Sequence, residues 1–444
     1  MTIDLAGIDQ RTTTTGQTPA QWNVVVIGAG VAGASAAIWC ARAGLRTLLV
    51  EKQVFPRDKV CGCCLNGRAM ALLDRLGMRE RLAALHPTPL SRMHVHFGGR
   101  SVSLPVNRSM SLSRRSLDQE LVRAAVDAGC VFLDQTTAVV LPSAAAGLDA
   151  DLARSVELRT HREGAAPAEP PVPDSAHLVS SSAEATPSPQ NRTSEFSCHT
   201  VLADVVLVCD GLNHASLKQF PEIQSKVASH SRIGLGAIVP WTAADTWYVP
   251  GEVQMGVSRV GYVGTVGIEQ GQLDLAAAVD AEFLQQHRTP KDALLKLFFL
   301  AGMPAPAGLP DATVRGTPLL TRKTSRVSLP RVFLLGDATG YVEPFTGEGM
   351  AWALSAASTV LPFVKQAVCE GWSADLAPKW QQECHRNVGR SQRVCRILAA
   401  GLRRPWLLNP LMTAARCLPW ITHAVMHGID RPLKTIETTE TRPC

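Results

Sequence analysis

The 444-residue sequence has no run of the roughly 18 to 20 uncharged apolar residues that a membrane-spanning helix needs. Its first 22 residues, "MTIDLAGIDQRTTTTGQTPAQW", lack the apolar stretch of a secretion signal and read as a loose leader. Charge is sparse: charged residues make up 18% against 46% hydrophobic, which suits a globular protein with an apolar surface or cleft. The net charge is +6, yet Lys379 to Lys434 alone carries +8 and the rest −2, so nothing in the body points to nucleic acid. Twelve scattered cysteines, with no secretion signal, indicate reduced thiols in a cytoplasmic setting and not a disulfide framework. The length allows two or three domains, each with its own core.

What is present is a patterned α/β chain. "NVVVIGAGVAGASAAIWCARAGLRTLLVEK", Asn23 to Lys52, reads as strand, tight turn, helix and strand. "GRAMALLDRLGM" has helical spacing, and "MHVHFGGRSVSLPV" alternates like a hairpin turning at Gly98-Gly99. "SRRSLDQELVRAAVDAGC" is an amphipathic helix leading into one strand, "VFLDQTTAVVL". Residues 163–198, rich in Pro, Ala and Ser, cannot bury enough apolar surface to order themselves. Strand-like segments flank them, so they read as an insertion at a hairpin tip. Several glycine-punctuated strands follow from Arg232 to Ile268. "RVFLLGDATGYVEPFTGEGMAWALSAAS" is again strand, loop and helix, and the last 70 residues are helical, with a helix start at Asn409-Pro410 and a break at Pro419.

Gly28-x-Gly30-x-x-Gly33 lies between a strand and a helix, the context in which this spacing binds a dinucleotide. Gly28 allows the tight turn, Gly30 lets the backbone approach a pyrophosphate, and Gly33 lets helix and strand pack closely. Glu51, beside Lys52, ends the second strand 18 residues after Gly33, where a carboxylate can accept ribose hydroxyls. Farther on, Gly336-Asp337 ends a buried strand, and Pro344 precedes the turn Gly347-Glu348-Gly349-Met350 that opens a helix. A strand-end carboxylate for a chain of hydroxyls, and a helix N-terminus for a carbonyl, match the ribityl chain and ring of FAD.

"GAGVAG", "VCDGLNHAS" and "GDATGYVEPFTGEG", in this order, resemble the FAD-dependent oxidoreductases of the p-hydroxybenzoate hydroxylase fold, from about residue 22 to 375. The resemblance implies that Asp210-Gly211 helps hold the FAD pyrophosphate and that Arg114, or failing it Arg115, reaches the nucleotide. No second G-x-G-x-x-G is present, so NAD(P)H would act without a dedicated domain, or a protein would donate the electrons. Thr339 and Ala351-Trp352 depart from the aromatic hydroxylases, and Trp241 and Trp247 lack the W-x-W-x-I-P spacing of flavin halogenases. "FPRDKVCGCCLNG" looks instead like the K-x-C-G-G loop of the geranylgeranyl reductase branch, although only Tyr262 remains of that branch's Y-x-W-x-F-P strand. The implied architecture is a three-layer Rossmann-like FAD-binding domain, a β-sheet substrate domain and a helical C-terminal segment. Its pieces run 22–90, 108–230 and 316–375 for the FAD-binding domain, with 1–21 as leader. The substrate domain takes 91–107 and 231–315, and the basic tail takes 376–444.

By the same resemblance Cys61 and Gly62 lie against the flavin, while Lys59 and Arg57 either anchor a flavin phosphate or a substrate anion or are solvated charges on the loop. Cys61 either shapes the substrate face, assisting protonation, or only packs. Cys63 and Cys64 stand where the related loop has small residues; packing is their default reading, against a Cys61–Cys64 redox pair, and no metal site is expected because two further ligands are missing. His94 and His96 either face the substrate or point away. The substrate is expected to be a lipophilic small molecule. The reaction is either hydride transfer to a carbon–carbon double bond or flavin monooxygenation, with a non-catalytic electron relay as the third reading. The Trp- and Arg-bearing tail suits contact with a membrane surface, or packs on the body with its arginines outward.

Overall fold

The computed structural model describes residues 20–142, 153–160, 197–343, 345 and 347–404, together with 410 and 413. The chain opens with β1 (Gln21–Ile27), a helix at Val31–Arg42 and β2 (Thr47–Val50), and β1 and β2 pair in parallel. Their unbroken Val/Leu runs are what a strand buried on both faces requires. β3 (Cys64–Leu65) follows the cysteine loop and leads into the Gly67–Arg75 helix, whose first turn is capped by the Asn66 side chain accepting from the Ala69 N–H. The hairpin β4 (Thr88–Phe97) and β5 (Arg100–Ser111) extends beyond 91–107 at both ends. Ser113 then caps the Arg114–Asp127 helix.

The stretch expected as one strand is two, β6 (Val131–Leu133) and β7 (Thr136–Val140), because Gln135 turns the backbone with a left-handed φ of 50°. β8 (Arg154–Thr160) and β9 (Ser197–Val208) pair antiparallel with Thr160 opposite Ser197. The insertion therefore leaves and re-enters at the end of one ladder; residues 161–196 lie outside the described residues. Downstream come β10 (Ser225–Val227), β11 (Ile233–Pro240), β12 (Glu252–Ser258), β13 (Gly261–Ile268), β14 (Gln272–Val279) and β15 (Arg315–Leu319). The described strands close with β16 (Arg322–Thr324), β17 (Ser328–Leu329), β18 (Val332–Leu334) and β19 (Gly340–Tyr341).

Two large sheets result. The first has the order β17-β18-β9-β1-β2-β6, with β18, β9, β1, β2 and β6 parallel and the β7–β8 ladder continuing from β9. The helices Val31–Arg42, Arg114–Asp127 and Gly349–Cys369 pack onto it in one core. The second sheet has the order β15-β11-β14-β13-β12-β4-β5-β3, so β15 carries the substrate layer on to Leu319. One of its faces packs Leu235, Val263 and Leu275 against Leu294, Leu297 and Phe298 of the Pro290–Ala301 helix. The other, with Met255, Tyr262, Val266 and Ala278, faces the cysteine loop and carries Cys63 in its core.

A last long helix, Leu376–Leu402, docks on the first sheet through Trp380, which is fully buried. The Trp380 indole donates to the Leu334 carbonyl at 3.2 Å and packs edge-on against Phe333 and Phe363. Trp380→Ala is expected to cost about 3–5 kcal/mol, from the cavity it leaves, read as a lower denaturation midpoint. Cys369, at the end of the preceding helix, is disulfide-bonded, which corrects the expectation of reduced thiols throughout. The nine other described cysteines are not disulfide-bonded. No helix among the described residues is long and apolar enough to cross a membrane. The helix boundaries expected at Asn409 and Pro419, and nearly all of the tail past 404, lie outside the described residues.

Candidate active site

The turn after β1 is built for close approach. Gly28 has φ 101°, and a Cβ there would fall 2.5 Å from the Cys209 carbonyl oxygen. A Cβ on Gly33 would lie 1.9 Å from the Gly28 oxygen. Above Gly30 the space is open except for two cations: a Cβ there would meet Arg114 Nη2 at 3.5 Å and Arg57 Nη2 at 3.7 Å. Two guanidinium groups thus converge over a helix N-terminus whose first N–H groups are free, a cradle for a diphosphate.

Both arginines are fixed from behind. Arg114 grips Asp118, four residues along its helix, with bonds of 3.0 and 2.8 Å, and Arg57 reaches the same carboxylate at 2.9 Å. Asp118 has no exposed surface. Burial alone would raise its pKa, but Arg114 and then Arg57 outweigh it and hold the carboxyl below its usual range. Glu51, expected to meet ribose hydroxyls, is buried at the end of β2; its Oε2 accepts from the Ala29 N–H at 3.1 Å and from Arg57 at 3.0 Å. Glu51 therefore also orients Arg57. Lys52, the next residue, is exposed. Arg115 is exposed too and pairs with Asp58 at 3.2 Å, which leaves the inward role to Arg114.

Asp210 accepts from the Ser216 N–H at 2.9 Å and its hydroxyl at 2.8 Å, while its second oxygen is buried with no protein partner. Gly211 beside it lines the cleft. His214, which sequence reasoning did not single out, ties this motif to the next one through a 2.6 Å bond to the Ala338 carbonyl. Gly336 and Asp337 follow β18, with Asp337 3.9 Å from the Lys59 ammonium. Gly347, Gly349 and Met350 line the same cleft, and a Cβ on Gly347 would lie 3.6 Å from that of Cys64. The cysteine loop therefore packs on the turn that opens the Gly349–Cys369 helix. Pro344 lies outside the described residues. The glycine cradle, the paired guanidiniums and the orphaned Asp210 oxygen fit the two ends of an FAD, with Asp337 and the Gly347–Met350 turn at the flavin end.

The cleft encloses about 1360 Å³ of space free of protein atoms, part of it open to solvent. Its far wall is apolar: Met93, Val253, Met255, Val266, Ala276 and Phe345. Tyr262 also stands in this wall, packed edge-on against Phe345 at 5.2 Å. His94 and His96 are on the opposite face of their strand, where His94 lies 3.0 Å from Glu252 and His96 is hydrogen-bonded to Gln254 at 2.8 Å.

Cys61 lines the cleft between these two halves. Its sulfur takes hydrogen bonds from the Cys63 thiol, the Cys63 N–H and the Arg114 guanidinium. The Cys63 bond is the strongest influence and, with Arg114, outweighs burial to draw the Cys61 pKa down to about 6. Cys64 is pushed up by burial and forms no bond to Cys61; both are free thiols. Among the described residues no group of three or more His, Cys, Asp or Glu is placed to hold a metal ion. Sequence reasoning treated Cys63 as packing alone and missed Asp274, though an acid inside the apolar strand "QLDLAAAV" is itself a signal.

Comparison with known proteins agrees with this geometry. Residues 21–211 match the family model described as an FAD binding domain. The chain is 27% identical over 419 residues to a menaquinone reductase of Mycobacterium tuberculosis, covering 92% of this chain and 91% of that one. It is 23% identical to a digeranylgeranylglycerophospholipid reductase of Thermoplasma acidophilum, covering 83% of each. Among solved structures, a flavoprotein/dehydrogenase from Cytophaga hutchinsonii superposes with a TM-score of 0.71 at 13% identity, covering 92% of both chains. The p-nitrophenol 4-monooxygenase PnpA of Pseudomonas putida gives 0.69 at 13% identity, covering 93% of this chain and 98% of that one. With an FAD-binding domain over residues 21–211 and a sheet-walled cleft beside it, the chain has the fold of the FAD-dependent oxidoreductases of the p-hydroxybenzoate hydroxylase type.

Proposed function

We propose that the protein is a geranylgeranyl reductase-like enzyme that saturates a carbon–carbon double bond in a lipophilic small molecule. The observation that carries this reading is the juxtaposition of an apolar substrate wall with a stabilised thiol at the flavin end of one cleft. Two relatives of similar length are reductases by name, one of menaquinone and one of a digeranylgeranylglycerophospholipid. Bound FAD supplies hydride once reduced, by NAD(P)H or by a protein electron donor. Arg114 and Arg57 hold its diphosphate, and Met93, Met255, Val266 and Phe345 receive an apolar substrate and exclude water. Cys61 stands where a proton can be delivered to the product. A purely electron-relaying flavoprotein would have no use for so wide an apolar wall.

The second reading, NAD(P)H-dependent monooxygenation, has the match to a p-nitrophenol 4-monooxygenase in its favour. One experiment separates the two. The purified flavoprotein is reduced without oxygen, oxygen is admitted, and the flavin spectrum is followed. Simple reoxidation without an intermediate is the expected result. A long-lived C4a-oxygen adduct spectrum would overturn the reductase reading in favour of the monooxygenase.

Association of the basic tail with a membrane surface is part of the same proposal, since a lipophilic substrate resides there. Flotation with anionic vesicles, comparing the full chain with one truncated after residue 404, tests it. Loss of flotation on truncation is expected, and equal flotation of both forms would overturn it.

A further inference from the structure

The thiol that faces the cleft is the front of a longer polar row. Behind Cys61 lies Cys63, buried in the substrate-sheet core and held at a left-handed φ of 50°. Its sulfur accepts from the Arg114 N–H at the start of the Arg114–Asp127 helix. Behind Cys63 lies Asp274 on β14, 4% exposed, hydrogen-bonded to the Cys63 side chain and with its Oδ2 unpartnered. Asp274 is opposite Ile238 and Val266 in the sheet, among apolar neighbours that offer it no cation. The other charged or titratable groups facing this row are Arg114 on the Cys61 side, Cys64, Tyr341 and Glu269.

A carboxyl in such surroundings keeps its proton, because desolvation of the charged form, with no cation beside it, outweighs the bond to Cys63. A sulfur with three donors aimed at it gives its proton up. The two needs are complementary, and Cys63 touches both groups. We infer that Cys61, Cys63 and Asp274 form a proton relay in which the cleft-facing sulfur is ionised at rest and the proton it lacks is stored on the buried carboxyl. Burial and the charge on Cys61 push the Asp274 pKa well up, and Cys63 is pushed up as well, first by its bond to Cys61.

This inference rests on the reductase reading for its use. Saturating a double bond requires one hydride, supplied by the reduced flavin, and one proton. In the relay, the Asp274 O–H gives its proton to Cys63 as the Cys63 S–H gives its own to Cys61. The new Cys61 S–H then breaks as the product C–H forms. The substrate gains one hydride and one proton, the flavin loses the hydride, and Asp274 is left a carboxylate that regains a proton from solvent between turnovers. Cys63 and Asp274 are positioning residues, and only Cys61 touches substrate.

The test uses flavin-loaded protein and needs no substrate. Alkylation of Cys61 by iodoacetamide, followed site by site by mass spectrometry across a pH series, is expected to have its midpoint near 6. Cys63→Ala should slow alkylation at pH 6 by roughly tenfold, and Cys63→Ser, which keeps a donor, should restore most of it. Infrared spectra should show a protonated-carboxyl band at neutral pH that is missing in Asp274→Asn. An ordinary thiol midpoint, a Cys63→Ala variant that alkylates like wild type, or an absent carboxyl band would each overturn the relay. A C4a adduct in the oxygen experiment would sink the reductase reading while leaving these thiol and infrared readouts in place.

Discussion

Gly33→Ala yields a protein that retains no FAD and is markedly less stable. The added methyl would sit 1.9 Å from the Gly28 carbonyl oxygen and 3.2 Å from the Cys209 Cβ. Neither obstacle is the free end of a flexible side chain. Relief therefore requires the Val31–Arg42 helix to move away from β1, and the Gly28 turn, already at φ 101°, has little freedom to follow. Overpacking against backbone costs on the order of 3 kcal/mol or more. Flavin absorbance per protein and the apparent melting temperature read the two effects. Gly30→Ala is the informative partner: its methyl would meet only the arginine tips, at 3.5 and 3.7 Å. That variant should fold with near-normal stability and still bind FAD poorly, because the methyl occupies space meant for the diphosphate. If both variants lose only the cofactor, the close helix–strand contact is not what Gly33 serves.

The same turn shows how much of the molecule is legible in its sequence. Glycines at 28, 30 and 33 between an apolar β-branched run and an Ala-rich helix admit little besides a nucleotide-binding βαβ unit. The strand-end Asp337 and the Gly347–Met350 turn are equally local, since both are strand-to-helix corners with their own residue requirements. What was not legible depends on pairings across hundreds of residues. Asp274 reaches Cys63 because the cysteine loop packs over the face of the second sheet, and no periodicity within either segment reports that. Cys63 read as filler because small size and burial suit packing and hydrogen bonding alike, and only the left-handed turn brings its N–H and its thiol to one sulfur.

The second large effect is expected at Arg114. Its guanidinium serves three partners at once: the buried Asp118 carboxylate, the Cys61 sulfur, and the open space above Gly30. Arg114→Met keeps most of the volume and removes all three interactions. Asp118, with no exposed surface, then keeps Arg57 as its ion-pair partner, with Lys59 acting from farther off. Leaving a buried charge undercompensated costs roughly 3–5 kcal/mol when no partner remains, so with Arg57 in place about 2–3 kcal/mol is expected. FAD affinity should fall at least tenfold, about 1.4 kcal/mol, and the Cys61 alkylation midpoint should rise. The pH dependence has a definite sign. A carboxyl held below its ordinary range contributes stability above that range and loses it as pH falls through the folded value. Removing Arg114 raises that folded value, so acid unfolding of Arg114→Met should begin at a higher pH than in wild type. Asp118→Asn in the Arg114→Met background should recover part of the stability by removing the stranded charge, without restoring FAD affinity. Arg115→Met, whose side chain is exposed and bonded at the surface to Asp58 and the Pro56 carbonyl, should change none of these readouts by more than a few tenths of a kcal/mol. Equal effects at the two neighbouring arginines would mean that the buried Arg114–Asp118 pair does not organise the diphosphate end of the cleft.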